Sequence, residues 1–383
     1  MLIEKASLSF KNFFDSEKSS GILLIVCTLV SLAIANSTFG TNYLSIWSSY
    51  IAGLSVEHWV NDGLMAIFFL FIGLELEREL YNGELSSFKN ALLPILAAAG
   101  GILCPALIHY LFNANTPTQA GIGIPMATDI AFALGVLALL GSRIPLSLKV
   151  FLTALAVMDD LGAIIVIAIF YTTKISVLYL IAAILIFLFL ISLNRIFRVM
   201  ALTPYLVGGV LMWFCMLQSG VHATIAGVLL AFAIPFSSRV DDAESPSHRL
   251  EHILHKPAAF LILPIFALAN TGIIIGSDWV QHLTDINSLG IMLGLILGKP
   301  LGIMLFCLIA IALGICKLPV ELNWKHILGA GLLGGIGFTM SIFITNLAFA
   351  GDDALIAASK ISVLLASLAA GALGFLWLRF SSK

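Results

Sequence analysis

Apolar stretches of about twenty residues recur along the whole chain, separated by short polar connectors. A helix rises ~1.5 Å per residue, so stretches of this length match the ~30 Å hydrocarbon core of a bilayer. Twelve candidate spans fall near residues 20–36, 59–80, 91–112, 120–141, 147–172, 176–193, 202–216, 221–235, 256–275, 287–312, 326–349 and 355–378. The composition agrees: 60% of residues are hydrophobic and 10% charged, where soluble domains carry about 25% charged residues. The chain therefore reads as an all-α polytopic membrane protein, one integral membrane domain over residues 1–383. A formal charge of −2 and the lack of any basic, aromatic-interleaved tract exclude nucleic acid as a partner. The five cysteines sit in or beside apolar stretches without CxxC spacing, as core residues and not as a disulfide framework or zinc site.

Charge placement sets the orientation. With twelve spans and both termini cytoplasmic, sixteen of the 19 Lys and Arg residues fall on the cytoplasmic side. Two, Lys174 and Lys360, fall outside, and Lys299 falls within a span. That partition follows the positive-inside rule. A competing reading takes the first span as a secretory signal cleaved after Ala33-Ile34-Ala35, but Lys5, Lys11 and Lys18 fit equally well as a retained cytoplasmic end. Two connectors stand out. Residues 236–255 are expected to form a loop running into the ninth span, and residues 41–58, with Tyr43, Ile46, Trp47, Tyr50 and Ile51, suit either an interfacial amphipathic helix or a small hairpin for subunit contact.

The stretch LTALAVMDDLGAIIVIAIF (152–170) carries Asp159 and Asp160 at its centre. A charge at the bilayer midplane costs at least ~2.5–3.5 kcal/mol on insertion scales, which makes such residues functional candidates. With Asp129 and Lys299 they form a set of three acids and one base, whose excess negative charge suits the exchange of protons and cations better than a static salt bridge. Adjacent residues on a helix point about 100° apart, so one aspartate is expected to face Lys299 and the other a water-filled access. Carboxylate oxygens suit small hard cations, and neither Cys nor His is close by in sequence to favour a softer metal.

Two spans are interrupted. The fourth reads IPMATDIAFALG (124–135), with Pro125, Thr128 and Asp129 breaking its apolar run, and the eleventh reads GLLGGIGFTMSIF (331–343), with Gly331, Gly334, Gly335 and Gly337 before Thr339 and Ser341. Gly331 and Gly335 also make a GxxxG packing pattern. Each interrupted span is the middle of a triplet, spans 3–5 and 10–12, near residues 91–172 and 287–378. The triplets begin an odd number of spans apart, so their topologies are opposed, the pattern of an inverted repeat whose interrupted helices meet at the midplane. Half-helix N-termini there are partly positive and C-termini partly negative, placing Asp129 against the former and Lys299 against the latter.

PMATDIAFALGVLALLGSRIPLSLKVFLTALAVMDDLGAI (125–164), FFLFIGLELERELYNG (68–83), SGVHATIAGV (219–228), LGKPLGI (297–303) and GIGFTMSIF (335–343) together resemble the NhaA-type sodium/proton antiporters, in order and over essentially the whole chain. That family is itself a reference case of inverted-repeat transporters, so the repeat pattern and the resemblance are not independent. The resemblance implies twelve helices with crossed discontinuous helices at the fourth and eleventh positions, a bacterial inner-membrane location and a homodimer whose contacts lie in the remaining helices. It implies export of Na⁺, and of Li⁺, in exchange for H⁺, electrogenic and pH-regulated, without a cofactor. It assigns Asp159 and Asp160 to cation and proton binding, Lys299 to pairing with Asp159 or carrying a proton, and Thr128 and Asp129 to the helix crossing. Glu75, Arg78, Glu79, Arg249, Glu251 and His252 resemble the cluster that makes these antiporters pH-responsive; as residues alone they read equally as a solvated helix end. His248 departs from the family pattern, which has a lysine there.

Two rival functions remain at this stage. A sodium-coupled symporter of an organic substrate needs an arginine or aromatic cluster inside the spans, and none is dedicated to that use. An intramembrane aspartyl hydrolase needs two convergent carboxylates from separate elements, whereas Asp159 and Asp160 diverge from one helix. His222 reads as a polar interface residue, with pH sensing as the alternative, and Glu251-His252-Ile-Leu-His255 is not the HExxH arrangement of a metal hydrolase. The chain is read as a transporter and not an enzyme.

Overall fold

A computed structural model describes residues 17–81, 83, 86–172, 175–237, 245–277 and 279–381. Lys5, Lys11, Lys174, Arg239 and Lys383 of the charge count, and the middle of the 236–255 connector, lie outside the described residues. Among the described residues, nine helices are long and apolar enough to cross a membrane, or eleven if each of two bent helix pairs counts as one span. The bent pairs are Pro117–Met126 with Ile130–Leu139, angled by 43°, and Trp324–Gly334 with Phe338–Ala348, angled by 45°.

The expected eighth span is the exception. Gly220, at φ +83°, ends the helix Leu202–Ser219 in a left-handed turn, and helix resumes only over Ile225–Ala233. Nine residues rise about 14 Å, half the thickness a spanning helix needs. Residues 221–224 are apolar enough to extend the run on paper, but they form a turn in which the His222 ring bonds the Tyr171 carbonyl at 2.8 Å. The ninth span departs in the opposite sense. Its helix begins at Pro246, well before the expected residue 256, because Ser245 caps it by accepting from the His248 N–H and Pro246 takes the first helical position. The 41–58 connector contains both conformations: Gly40–Ser48 is a helix carrying Tyr43, Ile46 and Trp47, and Tyr50–Ile51 pairs antiparallel with Leu54–Ser55. Lys360, expected at the outer surface, is buried well inside Asp353–Ser381, where Ser359, Ser362 and Ser367 are buried as well.

The chain divides into two compact units. One comprises residues 45–88 and 164–269 and packs a core of Leu70, Leu74, Leu190, Tyr205, Met212 and Leu230. The other comprises residues 1–44, 89–163 and 270–383 and holds both bent pairs. In this second group the helices Phe88–Asn113 and Lys299–Ala312 touch backbone to backbone: a Cβ on Gly100 would strike the Gly302 carbonyl, and one on Gly302 the Gly100 carbonyl. Gly331 likewise lets Trp324–Gly334 lie on Pro300, where an added Cβ would come 2.8 Å from the proline Cα. Gly302→Val is expected to destabilise the fold by at least ~1–3 kcal/mol through overpacking, read as a lower melting temperature and less monodisperse protein in detergent. A variant that melts with the parent would show that these helices have room to separate.

Candidate functional site

Each bent pair breaks for a local reason. In the first, the 3₁₀ segment Pro117–Met126 gives way to extended backbone at Ala127, and Asp129 caps the next helix by accepting from the Phe132 N–H at 2.9 Å. In the second, Gly335 to Gly337 separate two helical pieces, the second of which starts at Phe338. The two breaks meet. The Asp129 N–H donates to the Ile336 carbonyl at 2.6 Å, and Asp129 Oδ2 accepts from the Thr339 hydroxyl at 2.6 Å and the Thr339 N–H at 3.1 Å. One carboxylate thus sits at the N-termini of two helices, where the partial positive charge of each favours an anion.

Asp159 and Asp160 occupy the middle of Leu146–Phe170, and Lys299 opens the helix Lys299–Ala312. Lys299 Nζ donates to Asp159 Oδ2 and to the Met126 carbonyl, the terminal residue of the 3₁₀ segment. The Thr128 hydroxyl lies 2.6 Å from the same Asp159 oxygen and 2.8 Å from the Gly334 carbonyl, the last residue of Trp324–Gly334. Its single proton serves one of these at a time. Lys299 therefore satisfies the carbonyl end of one half-helix while reaching Asp159, and the Thr128 hydroxyl lies between Asp159 and the carbonyl end of the other. Asp159 Oδ1 is buried with no hydrogen-bond partner among the described residues. Asp160 is buried as completely as Asp159, at 1% and 0% exposure, in place of the expected water-facing position.

A π-helical turn, Gly294–Gly298, precedes Lys299. Pro300 has no N–H to return to the preceding turn, a local reason for the register to widen there. The sequence marks Lys299 and places Thr339 just past the glycine break, but it shows neither this turn, nor the bond from Thr339 to Asp129, nor the roles of the Met126 and Gly334 carbonyls. Carbonyls carry no sequence signal.

The six residues of the expected pH-responsive cluster lie in the other unit. Arg78 forms an ion pair with Glu251 and lies 3.3 Å from Glu79 and 3.7 Å from Glu75. His248 Nδ1 is 3.7 Å from the second Glu251 oxygen, so His248 also faces the cluster's centre. Arg249 and His252 are exposed on the same helix. Glu77, passed over in the sequence because charged residues flank it, is buried, with its carboxylate 3.2 Å from the Ser247 hydroxyl.

A buried lysine–aspartate pair between two interrupted helices, inside a many-helix apolar fold, defines a polytopic ion transporter. The comparisons make this specific. The sequence model of the Na⁺/H⁺ antiporter 1 family matches residues 11–378. The chain is 71% identical over 376 residues to the Na(+)/H(+) antiporter NhaA of Dechloromonas aromatica (strain RCB), covering 98% of this chain and 97% of the relative. It is 60% identical to that of Cytophaga hutchinsonii, covering 99% and 97%, and 48% identical to that of Vibrio alginolyticus, covering 97% of each. The chain belongs to the Na⁺/H⁺ antiporter 1 family.

Proposed function

We propose that this protein exchanges Na⁺ for H⁺ across a bacterial inner membrane, exporting the cation as protons enter. The observation that carries this is the fully buried Lys299–Asp159 pair with Thr128 and the adjacent Asp160. Hard oxygens suit Na⁺ and Li⁺, and the same carboxylates bind protons, so the two ions compete for one site and their fluxes are coupled. When one bound cation displaces two protons, each cycle moves net charge and the membrane potential drives export. Transport, with no chemical conversion, needs no cofactor. The test is a pH gradient across proteoliposomes challenged separately with Na⁺, Li⁺ and K⁺; proton movement driven by Na⁺ and Li⁺ supports the assignment, and none with any cation overturns it.

The proposed topology has twelve crossings with both termini cytoplasmic. It counts each bent pair once and the short helix Ile225–Ala233 with its flanking turn as the twelfth, and the charge distribution supports it. We read residues 91–172 and 287–378 as inverted repeats that contribute the crossed discontinuous helices. The remaining helices carry dimerisation, with the exposed Tyr50–Ser55 hairpin as a subunit contact.

The Arg78–Glu251 cluster is proposed to set the pH range of activity. Glu251 is the best buried acid of that group, and both Arg78 and His248 face it, whereas His252 is exposed. Glu251→Gln is therefore expected to displace the activation profile, and more so than His252→Ala, with the maximal rate retained. Sodium-dependent proton flux across a pH series decides this, and unchanged profiles in both variants return the cluster to an ordinary solvated helix end.

A further inference from the structure

A buried polar chain crosses the part of the site-bearing unit that the proposed topology places toward the outside. His109, fully buried on Phe88–Asn113, lies with Nε2 3.2 Å from Asn287 Oδ1. Asn287 Nδ2 donates to the Ser359 hydroxyl at 2.8 Å, which leaves Oδ1 as an acceptor and assigns the ring hydrogen to Nε2. The other ring nitrogen, Nδ1, is buried and has no hydrogen-bond partner among the described residues. Two glycines let backbone close on the ring: a Cβ on Gly121 would lie 3.1 Å from Nε2, and one on Gly290 3.0 Å from Cδ2. Gly121 belongs to the 3₁₀ segment whose last carbonyl accepts from Lys299; Gly290 and Asn287 belong to the span Ile286–Ala312 that carries Lys299. One imidazole, about 12 Å along the helix from the level of Gly101 and Lys299, therefore bonds the lysine-bearing span and packs against the 3₁₀ segment, the two elements whose contact makes the ion site.

Resting on the antiport reading, we propose that His109 is a positioning residue and a proton-operated latch. Neutral, its Nε2–H ties the lysine-bearing span to Phe88–Asn113, with the ring packed beside Gly121 of the 3₁₀ half-helix. A second proton, taken up at Nδ1 from the outer side, puts a charge where none of the described residues compensates it. The 3₁₀ segment and Ile286–Leu293 carry no ionisable side chain. The helix Asp353–Ser381, reached through Ser359, brings Lys360, another cation. On the ring's own helix Cys104 is half-buried and Tyr110 exposed, and Asp285, before Ile286, is exposed and 3.0 Å from His282. Asp353, in the first turn of the helix Asp353–Ser381, is exposed. With no carboxylate among the described residues facing it, a buried imidazolium is accommodated by separating the two elements and admitting water, which opens the site to external protons.

The test uses right-side-out membrane vesicles loaded with Na⁺ at fixed internal pH, with sodium efflux followed as external pH is lowered. His109→Gln keeps an amide donor for Asn287 but does not titrate, and one ionisation step is expected to vanish from the efflux profile. Asn287→Asp places a carboxylate opposite the ring, and the same step is expected to move to more alkaline external pH by about one unit or more. A purely structural histidine would lower the rate at every pH and leave the profile's shape intact, which overturns the latch, as does an unmoved step in Asn287→Asp. Melting temperatures identify folded variants, and should His109→Gln not fold, Asn287→Asp decides alone. Vesicles in which the parent shows no exchange of Na⁺ for H⁺ refute the antiport reading, and the latch with it; exchange whose profile neither variant moves refutes the latch only.

Discussion

Asp160→Asn is expected to bring sodium-driven proton flux down to the level of empty proteoliposomes while leaving the yield and melting temperature of the protein close to those of the parent. The substitution conserves side-chain volume at a position with 1% exposure, so packing is kept. It removes the property the proposed exchange site requires, a hard oxygen that is anionic when the cation is bound and protonated when it is not. The adjacent Asp159 does not substitute for it, because one of its oxygens is already engaged by Lys299 and Thr128. A carboxamide at residue 160 leaves a site with one committed acid, and competition between Na⁺ and H⁺ has nothing to act on. Near-normal flux in a folded Asp160→Asn variant would show that the exchange site lies elsewhere.

Where the sequence was legible, it was legible through cost. Charges inside apolar stretches are expensive, so Asp129, Asp159, Asp160 and Lys299 stood out without any structure. Glycines and prolines inside such stretches marked the two breaks, and Asp129 and Lys299 were placed against opposite half-helix ends by dipole arguments alone. Length was less informative. The apolar run at 221–235 satisfied a hydropathy count, yet Gly220 and the His222 contact turn its first residues into a turn, and only nine remain helical. Ser245-Pro246 is a helix-start signal that a hydropathy reading overlooks in polar surroundings. The most opaque features were those built from neutral groups. The Met126 and Gly334 carbonyls, the π turn before Lys299 and the His109–Asn287–Ser359 chain depend on which backbones approach which side chains across long sequence separations. No local pattern encodes that approach.

Lys299→Gln separates two roles proposed for one ammonium, holding its partners and carrying a proton. Lys299 neutralises Asp159 and satisfies the Met126 carbonyl. Removing one partner of a buried ion pair leaves the other uncompensated, at a cost of ~3–5 kcal/mol, so a clearly lower melting temperature is expected. Glutamine still offers an N–H to Met126, and Asp159 is free to take a proton in place of its lost partner, which moderates the loss. The second role is chemical: when the Lys299 proton is among those exchanged, its removal leaves a site that trades Na⁺ for a proton through Asp160 and moves less net charge per cycle. The expected result is therefore a destabilised but active variant whose exchange no longer responds to an imposed membrane potential. Measuring flux with and without that potential, beside the melting curve, reads both roles in one protein. Exchange that stays fully potential-driven in a destabilised variant confines Lys299 to holding Asp159 and the half-helix end, and assigns the second proton of the cycle to Asp159 itself.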